Sequence, residues 1–513
     1  MAFERASGIL LHPTSLPGGH GVGDLGQGAY DWLDFLKRSG QRLWQVLPLG
    51  PTGFGDSPYQ CFSAFAGNPY LISLDRLVEE GLLDKSTLAN TPDFSAQEVD
   101  YGAVIPFKLG VLNESYEVFK ERATERQKES FNTFCDQQGY WLGDYALFMS
   151  CKEANDGRAW NEWDEGLRKR KKRALNTHQK EHADAIQRWR YWQWLFYTQW
   201  LEVKRYANER DIKIIGDIPI FIAYDSADAW ANPELFYFDK EGNPTVVAGV
   251  PPDYFSETGQ RWGNPLYRWE EMQKEDFAWW ISRFRSTLDF FDLIRVDHFR
   301  GFEAYWEIPA DEPTAVEGRW VEGPGQALFD ALKEALGDLP IIAEDLGIIT
   351  PEVETLRDDN DLPGMKVLQF AFAGDGSDLY LPHNYTPNFV VYTGTHDNDT
   401  TLGWYNNAPE KEQDFVRRYL ARDERNITWD LIRLAFSSVA DLAVVPLQDV
   451  LGLGTEARMN LPGRAGGNWS WRYRPEQLES WLAPALLEMA ENYARVAAKE
   501  PEDTPYRQSK VEE

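Results

Sequence analysis

Eight short apolar runs, each about as long as one β-strand, recur along this chain and limit the folds that it can adopt. The runs are rich in β-branched residues and apolar on both faces, which is typical of a parallel sheet that is covered on both sides. Parallel neighbours need long crossover connections, which are usually helices. The runs occupy residues 8–13, 43–49, 212–220, 293–299, 340–347, 365–370, 389–397 and 442–450.

Helical patterns lie between several of these runs. They cover residues 30–39, 327–336 and 351–358, and the last has Thr350 as a predicted N-cap and Pro351 at the first helical position. Eight strands alternating with helices predict an α/β fold of the (β/α)8 TIM-barrel type. An open, doubly wound sheet is the alternative.

The uneven spacing of the runs predicts insertions into one barrel domain that spans residues 1–513. Compact domains rarely keep long structureless loops, so the longest gap, at 52–205, is expected to be an inserted helical subdomain between strands 2 and 3. A second insertion is expected at 221–290, between strands 3 and 4. Residues 500–513 form a predicted polar tail, and no C-terminal β-sandwich is expected.

Composition excludes several classes of protein. The aromatic content of 14% argues against disorder, and the net charge of −30 argues against nucleic-acid binding. No apolar stretch is long enough for a membrane span, and the N-terminal residues do not resemble a signal peptide. Three cysteines without metal-binding spacing favour a reducing compartment, so we expect a cytoplasmic protein that needs no metal or other cofactor. The sequence predicts no oligomeric state.

Polar and ionisable residues stand at the ends of most of the apolar runs. Active sites of such barrels lie at the carboxyl ends of the strands, so these side chains are expected to converge on one mouth. A single acidic residue in this position could simply cap the next helix, but several carboxylates together favour a functional site. The residues are His12, Asp217, Arg295, Asp297, His298, Glu344, Asp345, His396, Asp397, Gln448 and Asp449.

Paired carboxylates of this kind suit the cleavage of a glycosidic bond. Asp297 lies two residues after Arg295, so both share one strand face and the guanidinium can hold Asp297 ionised, as a nucleophile requires. Glu344 follows an apolar run, which is expected to raise its pKa, as a general acid requires. Asp397, beside His396, suits the binding of sugar hydroxyls.

Several motifs extend this pattern over nearly the whole chain. Residues 295–301 read RVDHFRG, residues 343–347 read AEDLG, and residues 395–399 read THDND. These resemble the three catalytic segments of the amylomaltase family, the 4-α-glucanotransferases (disproportionating enzymes) of glycoside hydrolase family 77. Segments 55–60, 68–70, 216–220, 249–265 and 459–469 are also similar to that family. The segment 249–265 resembles the family's long active-site loop, so the insertion at 221–290 is expected to carry that loop.

The resemblance implies a retaining double displacement that transfers α-1,4-glucan segments from a maltooligosaccharide or other α-glucan donor to glucose or a maltodextrin. It implies the nucleophile Asp297, the acid/base Glu344 and the transition-state stabiliser Asp397. The implied substrate-binding residues are Tyr59, Asp217, Trp262, Arg295, His396 and Asn468. The glycine-rich stretch 461–467 departs from the family pattern.

Two other functions would fit parts of this pattern. An α-amylase-like retaining hydrolase would use the same three carboxylates, but such enzymes usually carry a C-terminal β-sandwich of about a hundred residues. The sequence after Val450 is shorter than that, and residues 475–496 have a helical pattern. A non-catalytic glucan-binding protein is expected to have lost one of the three carboxylates, all of which are present.

Overall fold

The structure is a computed structural model that describes residues 3–253, 256–464 and 466–497, so the predicted tail at 500–513 lies outside the described residues. Within them, strands of two sheets are found. The strands are β1 (Ala6–Leu10), β2 (Leu43–Gln45), β3 (Lys213–Pro219), β4 (Val246–Val250), β5 (Gln260–Pro265), β6 (Leu293–Asp297), β7 (Ala304–Pro309), β8 (Arg319–Glu322), β9 (Ile341–Ala343), β10 (Gly364–Val367), β11 (Phe389–Tyr392) and β12 (Leu442–Pro446).

Eight of these strands form a parallel sheet in the order β10-β11-β12-β1-β2-β3-β6-β9. The two end strands meet through the Ala343 N–H, which donates to the Pro363 carbonyl at 2.9 Å. The sheet therefore curls into a nearly closed barrel, which confirms the (β/α)8 prediction over the open doubly wound sheet. Each of the eight apolar runs supplies one strand, although the runs extend beyond the strands.

The last apolar run shows how a run can exceed its strand. Residues 442–450 contain β12, but the final four residues form a short helix rather than a continued strand. Gln448 and Asp449 therefore lie on a helical turn at the barrel mouth. Polar side chains that were expected at a strand end are in this case oriented by a helix.

Along the chain, the described α-helices lie between the barrel strands or after the last of them. They are α1 (Gln27–Arg38), α2 (Leu74–Glu79), α3 (Tyr101–Arg122), α4 (Glu125–Gln137), α5 (Gly139–Ala154), α6 (Glu165–Arg168), α7 (Lys172–Glu181), α8 (Ala183–Asn208), α9 (Ala227–Ala231), α10 (Trp269–Lys274), α11 (Ala278–Phe290), α12 (Gln326–Leu336), α13 (Pro351–Asp359), α14 (Thr401–Asn407), α15 (Glu410–Leu420), α16 (Ile427–Ser437), α17 (Leu447–Val450) and α18 (Leu482–Asn492). Among the described residues, no helix has the length and apolar content that a bilayer crossing requires.

Helices α2 to α8 all lie between β2 and β3. The longest of them, α8, has a buried aromatic stripe that includes Trp192, Phe196 and Trp200. The Trp200 indole donates a hydrogen bond to the Phe290 carbonyl at 3.1 Å, so the stripe packs α8 against the rest of the molecule. That residues 52–205 form a separate subdomain stays a prediction.

The second sheet is antiparallel, in the order β5-β4-β7-β8. Strands β4 and β5 come from the segment between β3 and β6, whereas β7 and β8 follow β6. The segment at 221–290 therefore shares a sheet with residues outside it. Strand β7 follows shortly after β6, which ends at Asp297, so this small sheet lies beside the barrel mouth.

Candidate active site

Strands β3 and β6 place three charged residues side by side at the barrel mouth. Asp217 pairs with Arg295 in the parallel register, and Asp297 follows two residues later on the same strand. Arg295 Nη1 donates to both Asp217 oxygens, at 2.9 and 2.7 Å, and to Asp297 Oδ1 at 3.0 Å. A single guanidinium nitrogen thus orients both carboxylates.

The two carboxylate partners of Arg295 have different surroundings. The Asp217 side chain is fully buried, whereas the Asp297 side chain is 30% exposed. Burial raises the pKa of Asp217, and Arg295 acts in the opposite direction. The Tyr59 hydroxyl also donates to Asp217 Oδ2 at 2.8 Å, and burial raises the pKa of this phenol so that it stays a donor. Asp297 is therefore the partner that faces the cleft.

Glu344 lies directly after β9 and is buried. Its Oε2 accepts a hydrogen bond from the His298 N–H at 2.6 Å, and its Oε1 accepts one from the Leu346 N–H at 3.0 Å. Burial raises the pKa of Glu344 to about 8 against the opposing effect of Arg295, and the charge of Asp297 adds to the rise. This is the direction that the apolar run before Glu344 predicts.

The backbone of His298 gives the Glu344 contact its direction. His298 has a φ of 54°, in the left-handed region that residues other than glycine seldom adopt. This turn immediately after β6 aims the His298 N–H at the Glu344 carboxyl group. Strain at such a position is tolerated where the surrounding structure fixes it, and functional sites are where it concentrates.

Asp397 lies beyond β11, on a loop, and its side chain is 46% exposed. His396 Nε2 is 3.4 Å from Asp397 Oδ1. The Nδ2 group of Asn460 donates to the same oxygen at 2.6 Å. Burial lowers the pKa of His396, so the neutral imidazole is favoured.

Aromatic rings form one wall of the site. The Tyr59 and His396 rings stack with centroids 5.1 Å apart and an interplanar angle of 14°. The Trp469 ring lies 5.9 Å from each of them. Rings with polar tips can line a sugar site while keeping water out.

The other two predicted substrate-binding residues lie on separate segments. Trp262 lies on β5, and its indole meets the His298 ring edge-on at 4.8 Å. Asn468 instead closes its own loop: Oδ1 accepts from the Leu461 N–H at 3.0 Å, and Nδ2 donates to the Arg464 carbonyl at 3.0 Å. The structure thus brings Trp262 next to the His298 turn, while the amide of Asn468 is used within the loop.

Two acidic residues from the strand ends have structural contacts. Asp345 accepts from the Met365 N–H at 2.7 Å and from Arg357 Nη1 at 2.5 Å, which ties β9 to the start of β10. Asp449 accepts hydrogen bonds from the Thr401 N–H at 2.7 Å and from the hydroxyl groups of Thr393 and Thr401. The position of a carboxylate at a strand end therefore does not reveal whether its contacts are structural.

The remaining strand-end residues also make local contacts. His12 Nδ1 accepts from the Leu47 N–H at 3.3 Å, and burial lowers the pKa of this imidazole to about 3. The Gln448 amide donates to the Ala457 carbonyl at 3.2 Å. His298 is half-buried, and desolvation lowers the pKa of its imidazole to about 3. The described residues contain no cluster of three or more potential metal ligands.

Sequence reasoning missed Asn460 as a site residue. Asn460 lies in the segment 459–469 that resembles the family, yet no spacing rule connects it with a carboxylate 63 positions earlier. Only the fold of the loop brings its amide to Asp397. The sequence contains no local signal for this contact.

The barrel and its mouth define a class of enzyme that acts on glycosidic bonds with paired carboxylates in unlike surroundings. A family model described as 4-alpha-glucanotransferase matches residues 11–478. The chain therefore belongs to the 4-alpha-glucanotransferases of glycoside hydrolase family 77, and it is an enzyme.

Named relatives and a solved structure agree with this placement. The chain is 55% identical to a 4-alpha-glucanotransferase of Thermus thermophilus over 504 residues, covering 97% of this chain and 100% of that protein. It is 54% identical to one of Synechocystis sp. over 499 residues, covering 96% and 99%. The amylomaltase from Streptococcus agalactiae in complex with acarbose is 41% identical, with a TM-score of 0.93 and coverage of 96% of this chain and 100% of that one.

Proposed function

We propose that this glucanotransferase works by a retaining double displacement in which Asp297 is the nucleophile and Glu344 the acid/base. The observation that carries the proposal is the contrast between the two carboxyl groups. Asp297 is partly exposed and accepts a hydrogen bond from Arg295, whereas Glu344 is buried and its pKa is raised to about 8. One group is suited to attack and the other to donate a proton.

In the first step, Asp297 Oδ attacks the anomeric carbon of an α-1,4-linked glucose residue. The bond from that carbon to the leaving oxygen breaks, and Glu344 transfers its proton to the oxygen. The donor's reducing-end fragment leaves with a free 4-hydroxyl, and the remaining glucan is esterified to Asp297.

In the second step, Glu344 acts as a base. It takes the proton from the 4-hydroxyl of an acceptor, which is glucose or a maltodextrin, as that oxygen attacks the anomeric carbon. The ester bond to Asp297 breaks and the α-configuration is restored. Water would give hydrolysis instead, so the aromatic wall of Tyr59, His396 and Trp469 supports transfer by limiting water access.

Asp397 is proposed to bind the 2- and 3-hydroxyls of the reacting glucose and to stabilise the transition state. Tyr59, Asp217, Arg295 and His396 are proposed to line the same subsite, which their mutual contacts support. Trp262 and Asn468 are proposed to contact the glucan from the two loops that flank the cleft.

The substrate site is proposed to lie within one barrel domain that has a helical insertion at 52–205 and, at 221–290, an insertion that carries an active-site loop. A cytoplasmic location is proposed as well, and the three unpaired cysteines support it. The glucan substrate has no charge, so its binding needs no ion pair with the protein.

The proposal is tested by incubating the enzyme with maltotriose alone and separating the products by length. We expect glucose together with a ladder of longer maltodextrins, while the number of reducing ends stays constant. Asp297→Asn, which keeps the side-chain volume, is the control and should give no products. A steady rise in reducing ends without longer products would instead indicate the α-amylase-like hydrolase.

A further inference from the structure

The loop at 461–468 is attached to the candidate active site at both of its ends. Trp469, at its carboxyl end, packs its ring near Tyr59 and His396. Asn460, at its amino end, hydrogen-bonds Asp397. Between these two attachments, the Asn468 side chain bonds to the backbone of Leu461 and of Arg464.

The amino-terminal attachment holds Asp397 at more than one point. Asn460 Nδ2 donates to Asp397 Oδ1 at 2.6 Å, and the Asn460 N–H donates to the His396 carbonyl at 3.1 Å. Arg458 Nη2 donates to the Asp397 carbonyl at 2.5 Å, and its Nε donates to the Asn460 carbonyl at 2.7 Å. Residues 458–460 therefore bind both the carboxylate and the backbone of Asp397.

We propose that Asn460 is a positioning residue for Asp397. Its amide fixes Oδ1, so that Oδ2, on which the described residues place no donor, faces the sugar hydroxyls. This inference rests on the proposed role of Asp397 in transition-state stabilisation. Asn460 does not touch the glucan in this account; it acts through the carboxylate that does.

The charges around Asp397 explain why a neutral donor is suited to this position. The charged and titratable groups in its surroundings are His396 on the same loop, Tyr59 after β2, Arg295 and Asp297 on β6, and Arg458 on the second loop. A neutral amide orients Asp397 without cancelling the negative charge that a developing oxocarbenium ion needs.

The inference is tested with Asn460→Leu and Asn460→Asp, which keep the side-chain size and change the donor. We expect Asn460→Leu to lower kcat for maltotriose disproportionation about tenfold or more, with KM changed by less than about threefold. We expect Asn460→Asp to lower kcat at neutral pH at least as much, because it places a second carboxylate against Asp397.

The pH dependence separates positioning from a merely structural role. In Asn460→Asp, protonation of the new carboxyl group restores a hydrogen-bond donor. The ratio of variant to wild-type kcat should therefore rise as the pH falls from about 7 to about 5. In Asn460→Leu the ratio should stay flat. Asn388→Leu, at the opposite end of the barrel before β11, is the matched control and should keep wild-type kcat.

Each outcome of these measurements either supports or overturns the positioning role of Asn460. Wild-type kcat in Asn460→Leu, or a pH-independent ratio in Asn460→Asp with thermal unfolding unchanged, would overturn the inference and leave the proposed function intact. A wild-type enzyme that makes no longer maltodextrins would overturn both. The expected losses in kcat, with a pH-dependent ratio in Asn460→Asp and a flat ratio in Asn460→Leu, support the positioning role.

Discussion

At the scale of single residues, one buried arginine is shared by two carboxyl groups of the candidate active site. Arg295 contacts Asp217, which is fully buried, and Asp297, which faces the cleft. The two carboxyl groups therefore outnumber the one cation that they share. Such a site favours a transition state that develops positive charge at the anomeric carbon.

Glu344→Gln is the residue-scale prediction. Burial raises the pKa of Glu344 to about 8, so the acid stays protonated at neutral pH and ionises above about pH 8. The wild-type rate should therefore fall on the alkaline side near that value. We expect Glu344→Gln to remove this alkaline limb and to slow maltotriose transfer by at least about a hundredfold.

The leaving group provides the control for this prediction. An aryl glycoside with an acidic phenol needs little protonation to depart, so its glycosylation step should be slowed far less by Glu344→Gln. Stopped-flow release of the phenol measures that step. Equal slowing of both substrates would contradict the acid role of Glu344.

At the scale of elements, loops rather than barrel strands complete the site. Trp469 is buried at the end of the loop 461–468 and has a φ of 64°, a conformation that is unfavourable for a tryptophan. The strained backbone holds the indole against Tyr59 and His396. The proposed exclusion of water therefore depends on this loop as well as on the barrel.

Trp469→Ala tests this role of the loop. Removal of the indole opens the wall to water, so we expect the ratio of hydrolysis to transfer from maltotriose to rise about threefold or more. Trp481→Ala removes the same ring from a site that is 50% exposed, beside Trp429, and should leave the ratio unchanged. The ratio is measured as new reducing ends relative to longer products.

A second element-scale prediction concerns α8. The Gln193 amide satisfies both backbone groups of Gly67: its Oε1 accepts from the Gly67 N–H at 2.7 Å, and its Nε2 donates to the Gly67 carbonyl at 2.8 Å. Gln193→Ala leaves two buried groups unpaired, so we expect the free energy of unfolding to fall by about 2–4 kcal/mol. Denaturant titration measures the loss, and Gln187→Ala, on the exposed face of α8, should change it little.

At the scale of the whole molecule, the sequence predicts the barrel better than its additions. Buried parallel strands are apolar on both faces, so each of the eight barrel strands produces a recognisable run. All four strands of the second sheet were missed. In β5, β7 and β8, polar residues interrupt the apolar ones, because that sheet is partly exposed. The pairing of β7 with β4 depends on tertiary contacts that no local pattern encodes.

The candidate site shows the same division. Arg295, Asp297 and Glu344 were predictable because strand register and apolar flanks determine their surroundings. The structural contacts of Asp345 and the Asn460–Asp397 bond were not, because they depend on how loops return to the barrel mouth. The net charge of −30 resides largely outside these few residues, which suits an enzyme whose substrate is neutral.

The most direct test of the account is the identification of the residue that carries the covalent intermediate. Glu344→Gln is incubated with an α-glucosyl fluoride, whose leaving group needs no acid, so that the glycosyl-enzyme forms but turns over slowly. Proteolysis and mass spectrometry then locate the added sugar. The account predicts the sugar on Asp297 and its absence in the Asp297→Asn double variant; a sugar ester on another carboxylate would contradict it.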